Sequence, residues 1–415
     1  MNTISTITLA CGMPLLVEPM SGVRSVGLTW LLPAGVATEP PDRRGLTPVL
    51  AEMAMRGAGM LDSRAQADAF DKLGVNRGLE PGGVYLRLTA TLTGDRLNDA
   101  LPLFADIVRR PMLGADALEP ARELALQSLA GVKDNPQERV AIALSEAFNP
   151  LPLERCTHGT EAGLAAITRD DVLKAWSERV RPRGAILAIA GAVDAAATAA
   201  RLDELLKGWE GSAPLPALAP NALAGTMRHI EDGTSQVQVM VAHAAPREAD
   251  GDSIHEKMAA AVLSGGSSAR LFTEVREKRA LCYSVSAGYG PDREFGRVVA
   301  YVGTTPDKAQ ESLDVLVAEL KRLRTPAGAA TAEEFARAVV RAKTGLVFSG
   351  ESTSARAGSL AGDFHRLGRG RSLAEMAAQV DGATLKGLNE YLARAPMGRL
   401  TVVTLGPKGL KAVEG

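Results

Sequence analysis

An internal repeat constrains the fold of this 415-residue chain more than any other feature. The sequence ITRDDVLKAWSERVRPRGAILAIAGAVD aligns with VDGATLKGLNEYLARAPMGRLTVVTLGPKG, so that Leu173 corresponds to Leu385 and Gly191 to Gly406, at offsets of 212 and 215 residues. Each copy has the pattern of an amphipathic helix, a loop, an apolar strand and a glycine. The repeat predicts two halves with similar folds.

A second pair of segments extends the repeat and sets the domain boundaries. LRLTATLTGDRLNDALPLFADIVRRP resembles VVAYVGTTPDKAQESLDVLVAELKRLRTP, and each reads as a strand, a short turn and a long helix. A proline-rich stretch between the halves is typical of a semi-rigid linker. We therefore predict an N-terminal domain at 1–210, a linker at 211–225 and a C-terminal domain at 226–415. In each domain we expect an antiparallel-rich sheet with helices on one face, an α+β fold.

Composition excludes several classes of partner. The chain carries 47 Lys and Arg against 48 Asp and Glu, so no strong field attracts nucleic acid or an anionic membrane. No apolar run is long enough to span a bilayer. The three cysteines are far apart and odd in number, which favours reduced thiols. We expect a soluble cytoplasmic protein, with the periplasm as the alternative if a signal peptide has been removed; the first twenty residues read as two short strands.

The segment GGSSARLFTEVREKRALCYSVSAGY, residues 265–289, predicts a helix that leads into a strand. A serine at 267 or 268 can cap the helix, and period-two alternation from residue 281 places Tyr283 on the strand face shared with Val285 and Ala287. Arg276 then approaches the start of that strand. A guanidinium and a phenol can together hold peptide carbonyls or a carboxylate. On spacing alone, a surface arginine near a helix end and a tyrosine on a core face are the commoner interpretation.

Two glycines at the start of this segment, Gly265 and Gly266, are further candidates for substrate contact through their backbone amides. The alternative is a simple turn before the helix, which is the commoner role of paired glycines.

The run RLFTEVREKRALCYSV resembles the second-half signature of the insulinase/pitrilysin (inverzincin) zinc metallopeptidases, the group that includes the mitochondrial processing peptidase type. In that family an Arg and a Tyr seven positions apart bind the substrate backbone, and Arg276 and Tyr283 match this pair. VRSVGLTWLLPAGVATEPPDRRGLTPVLAEMAMRG resembles the family's opening strand, loop and catalytic helix. The resemblance implies that four such domains, two from each chain, enclose a peptide in a hollow shell.

The resemblance fails at the metal site. The family's helix carries H-x-x-E-H, two zinc ligands and a general base, and a later helix carries a third ligand, a glutamate. Pro48 and Glu52 stand at the two histidine positions, Ala51 at the base and Ser128 at the third ligand. The five histidines are scattered and none offers a substitute pair. We expect no metal and no cofactor in this chain.

The resemblance therefore implies a non-catalytic subunit that is inactive alone. We expect a heterodimer in which a homologous subunit carries the zinc, while Arg276 and Tyr283 of this chain complete its active site and bind unfolded peptides. The sequence leaves two alternatives open: a structural or assembly protein of the same fold, and a stand-alone peptide-binding protein.

Overall fold

The chain's computed structural model describes residues 3–395 and 397–412, which form two compact units. Unit 1 comprises the described residues of Met1–Gly131, Arg155–Leu218 and Ser349–Ser372. Unit 2 comprises those of Val132–Glu154, Ala219–Phe348 and Leu373–Gly415. The predicted domains are contiguous, 1–210 and 226–415. The observed units also divide within the predicted 211–225 linker, but each includes a segment from the other half of the chain.

The secondary structure alternates strands and helices in both halves. In chain order the elements are β1 Ser5–Thr8, β2 Pro14–Pro19, β3 Ser25–Leu32, α1 Leu46–Ala54, β4 Gly57–Ala58, β5 Leu61–Asp62, α2 Ser63–Lys72, β6 Asn76–Pro81, β7 Leu86–Thr93, α3 Leu97–Arg109, α4 Leu118–Lys133, α5 Pro136–Phe148, α6 Glu161–Ala166, α7 Arg169–Arg179, β8 Ile186–Gly191, α8 Ala195–Leu205, β9 Met227–Glu231, β10 Val237–Ala245, α9 Ser253–Ser264, β11 Cys282–Pro291, β12 Gly296–Thr304, α10 Ala309–Arg322, α11 Ala332–Glu351, α12 Thr353–Leu367, α13 Leu373–Gly382, α14 Leu385–Arg394 and β13 Thr401–Gly406. A π-helical segment, Phe272–Glu277, precedes β11.

The sheet of unit 1 has six strands in the order β1-β2-β8-β3-β7-β6. All neighbours are antiparallel except β2 and β8, which are parallel. Alternate residues of the central strand β8 face two separate apolar cores: Leu187 and Ile189 contact the core shared with α1, α3 and α7, and Ile186 contacts the core shared with α12.

The sheet of unit 2 has five strands in the order β11-β12-β10-β13-β9, with only β13 and β9 parallel. From β11 to β9 this order and these directions match β6-β7-β3-β8-β2 of unit 1, so the repeat in the sequence is a repeat in topology. One face of the sheet packs against α9, α10 and α14, and the other packs against α5 through Val140 and Leu144.

A helix from the other half of the chain therefore covers the second face of each sheet: α12 in unit 1 and α5 in unit 2. Each sheet has the predicted helices on one face, and the exchanged helix covers its other face. The close approach of α12 to β3 depends on Gly27, where a Cβ atom would lie 2.4 Å from the backbone carbonyl of Thr353. Any larger side chain at this position would push the helix off the sheet.

No helix of residues 3–395 and 397–412 has the length and apolar character needed to cross a membrane.

Candidate functional site

The segment that carries Arg276 is a π-helix, in which the Lys278 amide donates to the Thr273 carbonyl, five residues back. Each hydrogen bond spans one residue more than in an α-helix, which widens the helix and rotates the following side chains. Short π-helical segments are rare and occur frequently at functional sites. The predicted serine cap at 267 or 268 does not form, because the helical segment begins later and its N-cap, Leu271, has no side-chain cap hydrogen bond.

A buried ion pair anchors the start of this segment. Arg270, 7% exposed, donates from Nε and Nη2 to the two oxygens of Glu334 on α11 at 2.6 and 2.7 Å. Burial would raise the pKa of Glu334, but its hydrogen bonds with Arg270 and the Thr331 amide outweigh burial and lower the pKa to about 2. The pair fixes the helical segment to α11.

A tight turn connects the π-helix to β11. Ala280 has φ of 49°, an unusual conformation for a residue with a Cβ atom, and its carbonyl accepts a hydrogen bond from Lys308 Nζ at 2.8 Å. The Leu281 amide reaches back to the Val275 carbonyl at 3.0 Å. Strand β11 therefore begins directly after this tight turn, six residues after Arg276.

A β-bulge at the start of β11 exposes Tyr283. Cys282 pairs with Thr304 and Ser284 with the next residue, Gly303, so Tyr283 has no residue opposite it. The predicted alternation is therefore wrong at this position: Val285 is half-buried, whereas Tyr283 is 82% exposed. The bulge adds one residue to the strand, and this resets the period-two pattern and directs the phenol away from the core.

Aromatic rings hold Arg276 in place. Its guanidinium carbon lies 4.8 Å from the ring centroid of Tyr283 and 4.8 Å from that of Phe272. Glu274 pairs with Lys278 and Arg279 instead, which leaves Arg276 without an ion pair in the part of the chain that is described. The structure therefore brings the two predicted residues together and leaves their polar groups available.

The Arg276 charge also acts on Cys282. Burial raises the pKa of this thiol, and the positive charge of Arg276 opposes the increase.

The glycine candidates lie at the end of α9. Gly265 is the C-cap residue, and a Cβ atom there would lie 2.3 Å from the Ala261 carbonyl oxygen. Gly266 has φ of 150°, and its carbonyl accepts from the Ala269 amide at 3.0 Å. Both glycines therefore have a conformational role in this turn. Their contact with substrate stays a prediction.

The positions of the family's metal ligands lie on α1 and α4. Pro48 is the third residue of α1. Backbone N–H groups in the first turn of a helix have no intrahelical acceptor, so a proline there costs no hydrogen bond. Ala51 is buried, and Glu52 accepts from Arg56 Nε at 2.9 Å. Ser128 Oγ lies 3.1 Å from Nδ1 of His158.

These residues do not fit a catalytic zinc site. Such a site needs three protein ligands and an open position for water. Of the three ligand positions, Pro48 has no donor, Glu52 is paired with Arg56, and the Ser128 hydroxyl is hydrogen-bonded to His158. Within residues 3–395 and 397–412, no group of three His, Cys, Asp or Glu side chains could hold a metal ion.

The N-terminus of α1 is instead closed by a carboxylate that the sequence analysis did not identify. Glu39, 5% exposed, accepts hydrogen bonds from the amides of Gly45 at 3.0 Å and Thr47 at 2.7 Å. Burial raises the pKa of Glu39, although these amides and the charge of Arg155 oppose the increase. Glu39 thereby satisfies two of the backbone amides at the start of the degenerate helix.

Phe272 and the Arg270–Glu334 pair were also missed from the sequence. Phe272 stands four positions before Arg276, and side chains at this spacing contact each other on a helix. The sequence could therefore have predicted this contact. Glu334 is distant in sequence, and nothing in the local pattern pairs it with Arg270.

Comparison with known proteins places the chain in a family. Residues 20–161 match the model of the family described as Insulinase (Peptidase family M16). Residues 166–340, which include Arg276 and Tyr283, match the model described as Peptidase M16 inactive domain.

Individual relatives agree over nearly the whole chain. A protein of Rickettsia bellii described as an uncharacterized zinc protease is 24% identical over 405 residues, 96% of each chain. A crystal structure of a peptidase M16 inactive domain from Pseudomonas fluorescens has a TM-score of 0.87 at 20% identity and covers 99% of both chains. A chain of complex III from Candida albicans has a TM-score of 0.83 at 17% identity, covering 98% of this chain and 96% of that one.

The sequence matches and the repeated topology lead to one conclusion: this chain belongs to the insulinase family of peptidases, family M16, and has two domains of the mixed α/β fold that its structural neighbours share.

Proposed function

We propose that this chain is the non-catalytic, substrate-binding subunit of a heterodimeric zinc metallopeptidase. Arg276 and Tyr283 hydrogen-bond the main chain of an unfolded peptide, and a homologous partner with H-x-x-E-H and the distant glutamate provides the metal chemistry. The observation that carries the proposal is Tyr283, which a bulge holds 82% exposed beside the unpaired Arg276. At the family's ligand positions in the same chain, Pro48 has no donor and Glu52 is paired with Arg56, which supports a metal site on the partner.

The geometry supports a positioning role for the pair. Arg276 contacts the rings of both Tyr283 and Phe272, and these contacts limit its motion. Little side-chain entropy is therefore lost when its N–H groups bind a carbonyl. Strand β11 lies at the edge of its sheet, with β12 as its neighbour within unit 2. Contacts to the main chain fix a peptide's register without selecting its side chains. We therefore expect broad sequence preference and a requirement for unfolded substrates.

The test is reconstitution with a zinc-bearing relative that carries H-x-x-E-H. The purified chain should hold no stoichiometric zinc and cleave no fluorogenic peptide, and the complex should cleave it. Removing the hydroxyl in Tyr283→Phe should lower kcat/KM about three- to tenfold, the range expected for one hydrogen bond. Arg276→Ala, which removes a charged donor, should cost more.

Matched controls separate this role from folding. Tyr289→Phe removes a hydroxyl from the same strand, where it donates to the Pro246 carbonyl at 2.6 Å, and Arg293→Ala removes an exposed arginine from the turn after β11. Both should leave kcat/KM nearly unchanged. If the Arg276 and Tyr283 variants matched these controls, the substrate-binding role would be wrong. One zinc per chain by elemental analysis would contradict the assignment of Pro48.

The likeness to a chain of complex III supports a second candidate, an assembly protein that uses the same fold. In that case the reconstituted complex would be inactive and the chain would bind no peptide. Peptide binding by the isolated chain, unaffected by chelators and without activity in any complex, would instead indicate a stand-alone binding protein. The cytoplasmic location remains a prediction.

A further inference from the structure

We propose that the open face of α11 binds an apolar stretch of substrate peptide and that Arg341 contacts a carboxylate of the same peptide. This inference rests on the proposed function and narrows its substrate class, from any unfolded peptide to apolar peptides with an acidic group.

An apolar stripe runs along this face. Val340, Val347 and Phe348 are 65%, 57% and 66% exposed, and they account for three of the nine large hydrophobic side chains exposed in the described residues. At 100° per residue the three lie within about 100° of the helix circumference. Ala342 lies on the opposite side of α11, against the core of unit 2. Exposed apolar groups concentrated on one helix face are typical of a binding surface.

Gly345 borders this face next to Arg341, about 60° around the helix from Phe348. Glycine in a helix interior is destabilising relative to alanine, by about 1 kcal/mol, yet a Cβ atom at Gly345 would meet nothing within 4 Å. Packing within the chain therefore does not require the glycine. A bare backbone at this position instead allows a ligand to approach the helix closely.

Charge complementarity identifies the second feature of the ligand. Arg337 is paired with Glu333, one turn away on the same helix. Arg341, one turn further along, is exposed and forms no ion pair with the residues that the structure describes. A cation beside an apolar stripe favours a peptide that carries both apolar side chains and a carboxylate.

The face adjoins the site already described. A Cβ atom at Gly265 would lie 3.3 Å from Cδ of Arg341, so the turn that leads to the π-helix touches the same helix. In the repeat, α11 follows α10 as α4 follows α3, and Gly345 and Gly131 are 214 residues apart. Helix α11 thus corresponds to α4, whose Ser128 stands at the family's third ligand position.

The length of the face limits the occupant. From Val340 to Phe348 the helix rises about 12 Å at 1.5 Å per residue, which matches three to four residues of an extended peptide at 3.3 Å each.

The test uses the full chain and three fluorescein-labelled twelve-residue peptides, followed by fluorescence anisotropy. The first alternates Leu or Phe with Ser and ends in a free carboxylate, the second is its C-terminal amide, and the third has Gln in place of Leu and Phe. We expect the first to bind most tightly. Val340→Ser and Phe348→Ser should each weaken it about tenfold, the value of a largely buried apolar side chain, without affecting the third.

Two further variants complete the set. Arg341→Gln should weaken the first peptide two- to fivefold at low salt and abolish its advantage over the amide. Met60→Ser removes another exposed apolar side chain, 90% accessible in unit 1, and should change nothing. Circular dichroism verifies that each variant keeps its helix content.

Failure of this inference is distinguishable from failure of the proposed function. If Arg276→Ala weakens all three peptides while the α11 variants weaken none, the inference is overturned and the main-chain site stands. If the α11 variants act and Arg276→Ala does not, the α11 site stands and the role of Arg276 is wrong. If Val340→Ser alters self-association by sedimentation velocity and leaves peptide binding unchanged, the face is an interface between copies, which also overturns the inference.

Discussion

The exchange of α12 onto the sheet of unit 1 depends on a buried ion pair, and Arg356→Met tests it. Arg356 is fully buried on α12 and donates from Nε to Oε2 of Glu18 on β2 at 2.9 Å, with a second contact from Nη2 to the same oxygen. Arg356 Nη2 also donates to the Arg371 carbonyl at 3.2 Å. Methionine keeps most of the side-chain volume and removes the charge and the donors.

The expected cost follows from the burial of the partner. Glu18 is 2% exposed on β2, so the variant leaves a carboxylate away from water without a counter-ion. Removing one partner of a buried pair costs about 3–5 kcal/mol, far more than the net value of the intact pair. In the double variant Glu18→Gln with Arg356→Met no charge remains, and we expect it to be more stable than Arg356→Met alone.

Tryptophan fluorescence reports this unit separately. The chain has three tryptophans, Trp30, Trp176 and Trp209, and all three lie in unit 1. A urea titration of their emission should show the midpoint for Arg356→Met lowered by about 1 M or more, because the slope is at most about 3 kcal/mol/M. Arg64→Met is the matched control, because Arg64 is 89% exposed and its pair with Asp68 has little effect on stability.

A cost below about 1 kcal/mol for Arg356→Met, or a double variant less stable than the single one, would refute the reasoning. Either result would mean that Glu18 reaches water and that apolar packing alone holds α12 on the sheet.

Three further predictions test other contacts. Gly27→Ala should destabilise unit 1 by about 1–3 kcal/mol in the same fluorescence assay, because its Cβ atom would overlap the backbone of α12, and an unchanged midpoint would contradict this packing. Glu334→Gln should lower the free energy of unfolding of unit 2 by about 3 kcal/mol at pH 7. Because the folded-state pKa is lowered from 4.5 to about 2, the greater stability of the wild type should disappear as the pH falls through that interval. Hydrogen exchange of the segment after Arg270 measures this difference in stability. Arg276→Ala should slow iodoacetamide labelling of Cys282 about two- to threefold, because the cation no longer opposes the raised thiol pKa, and a lysine at this position should restore the rate.

Much of the fold could be predicted from the sequence, because its signals are local. The repeated helix-strand pattern around Leu173 and Leu385 predicted two equivalent halves, and the strand order of the two sheets agrees. The exchange of α5 and α12 could not be predicted, because an amphipathic helix pattern specifies that one face is buried and not which sheet covers it.

The candidate site could likewise be predicted only in part from the sequence. The spacing of Arg276 and Tyr283 placed both residues at the helix-to-strand junction, but period two predicted the phenol on the core face. The extra residue of a bulge depends on which partner residues pair across the strands, and Cys282 and Ser284 pair with consecutive residues of β12. That pairing is a long-range property with no local signature.

The sequence by itself determined the family resemblance, the twofold repeat and the residues available for chemistry at each position, including Pro48 in place of a metal ligand and Ala51 in place of the general base. Only the tertiary structure decided how those residues are presented: the bulge that exposes Tyr283, the rings that hold Arg276, and the exchanged helices that cover both sheets. Residue identity and periodicity are encoded locally, whereas exposure and pairing arise from contacts between segments that are distant in the chain.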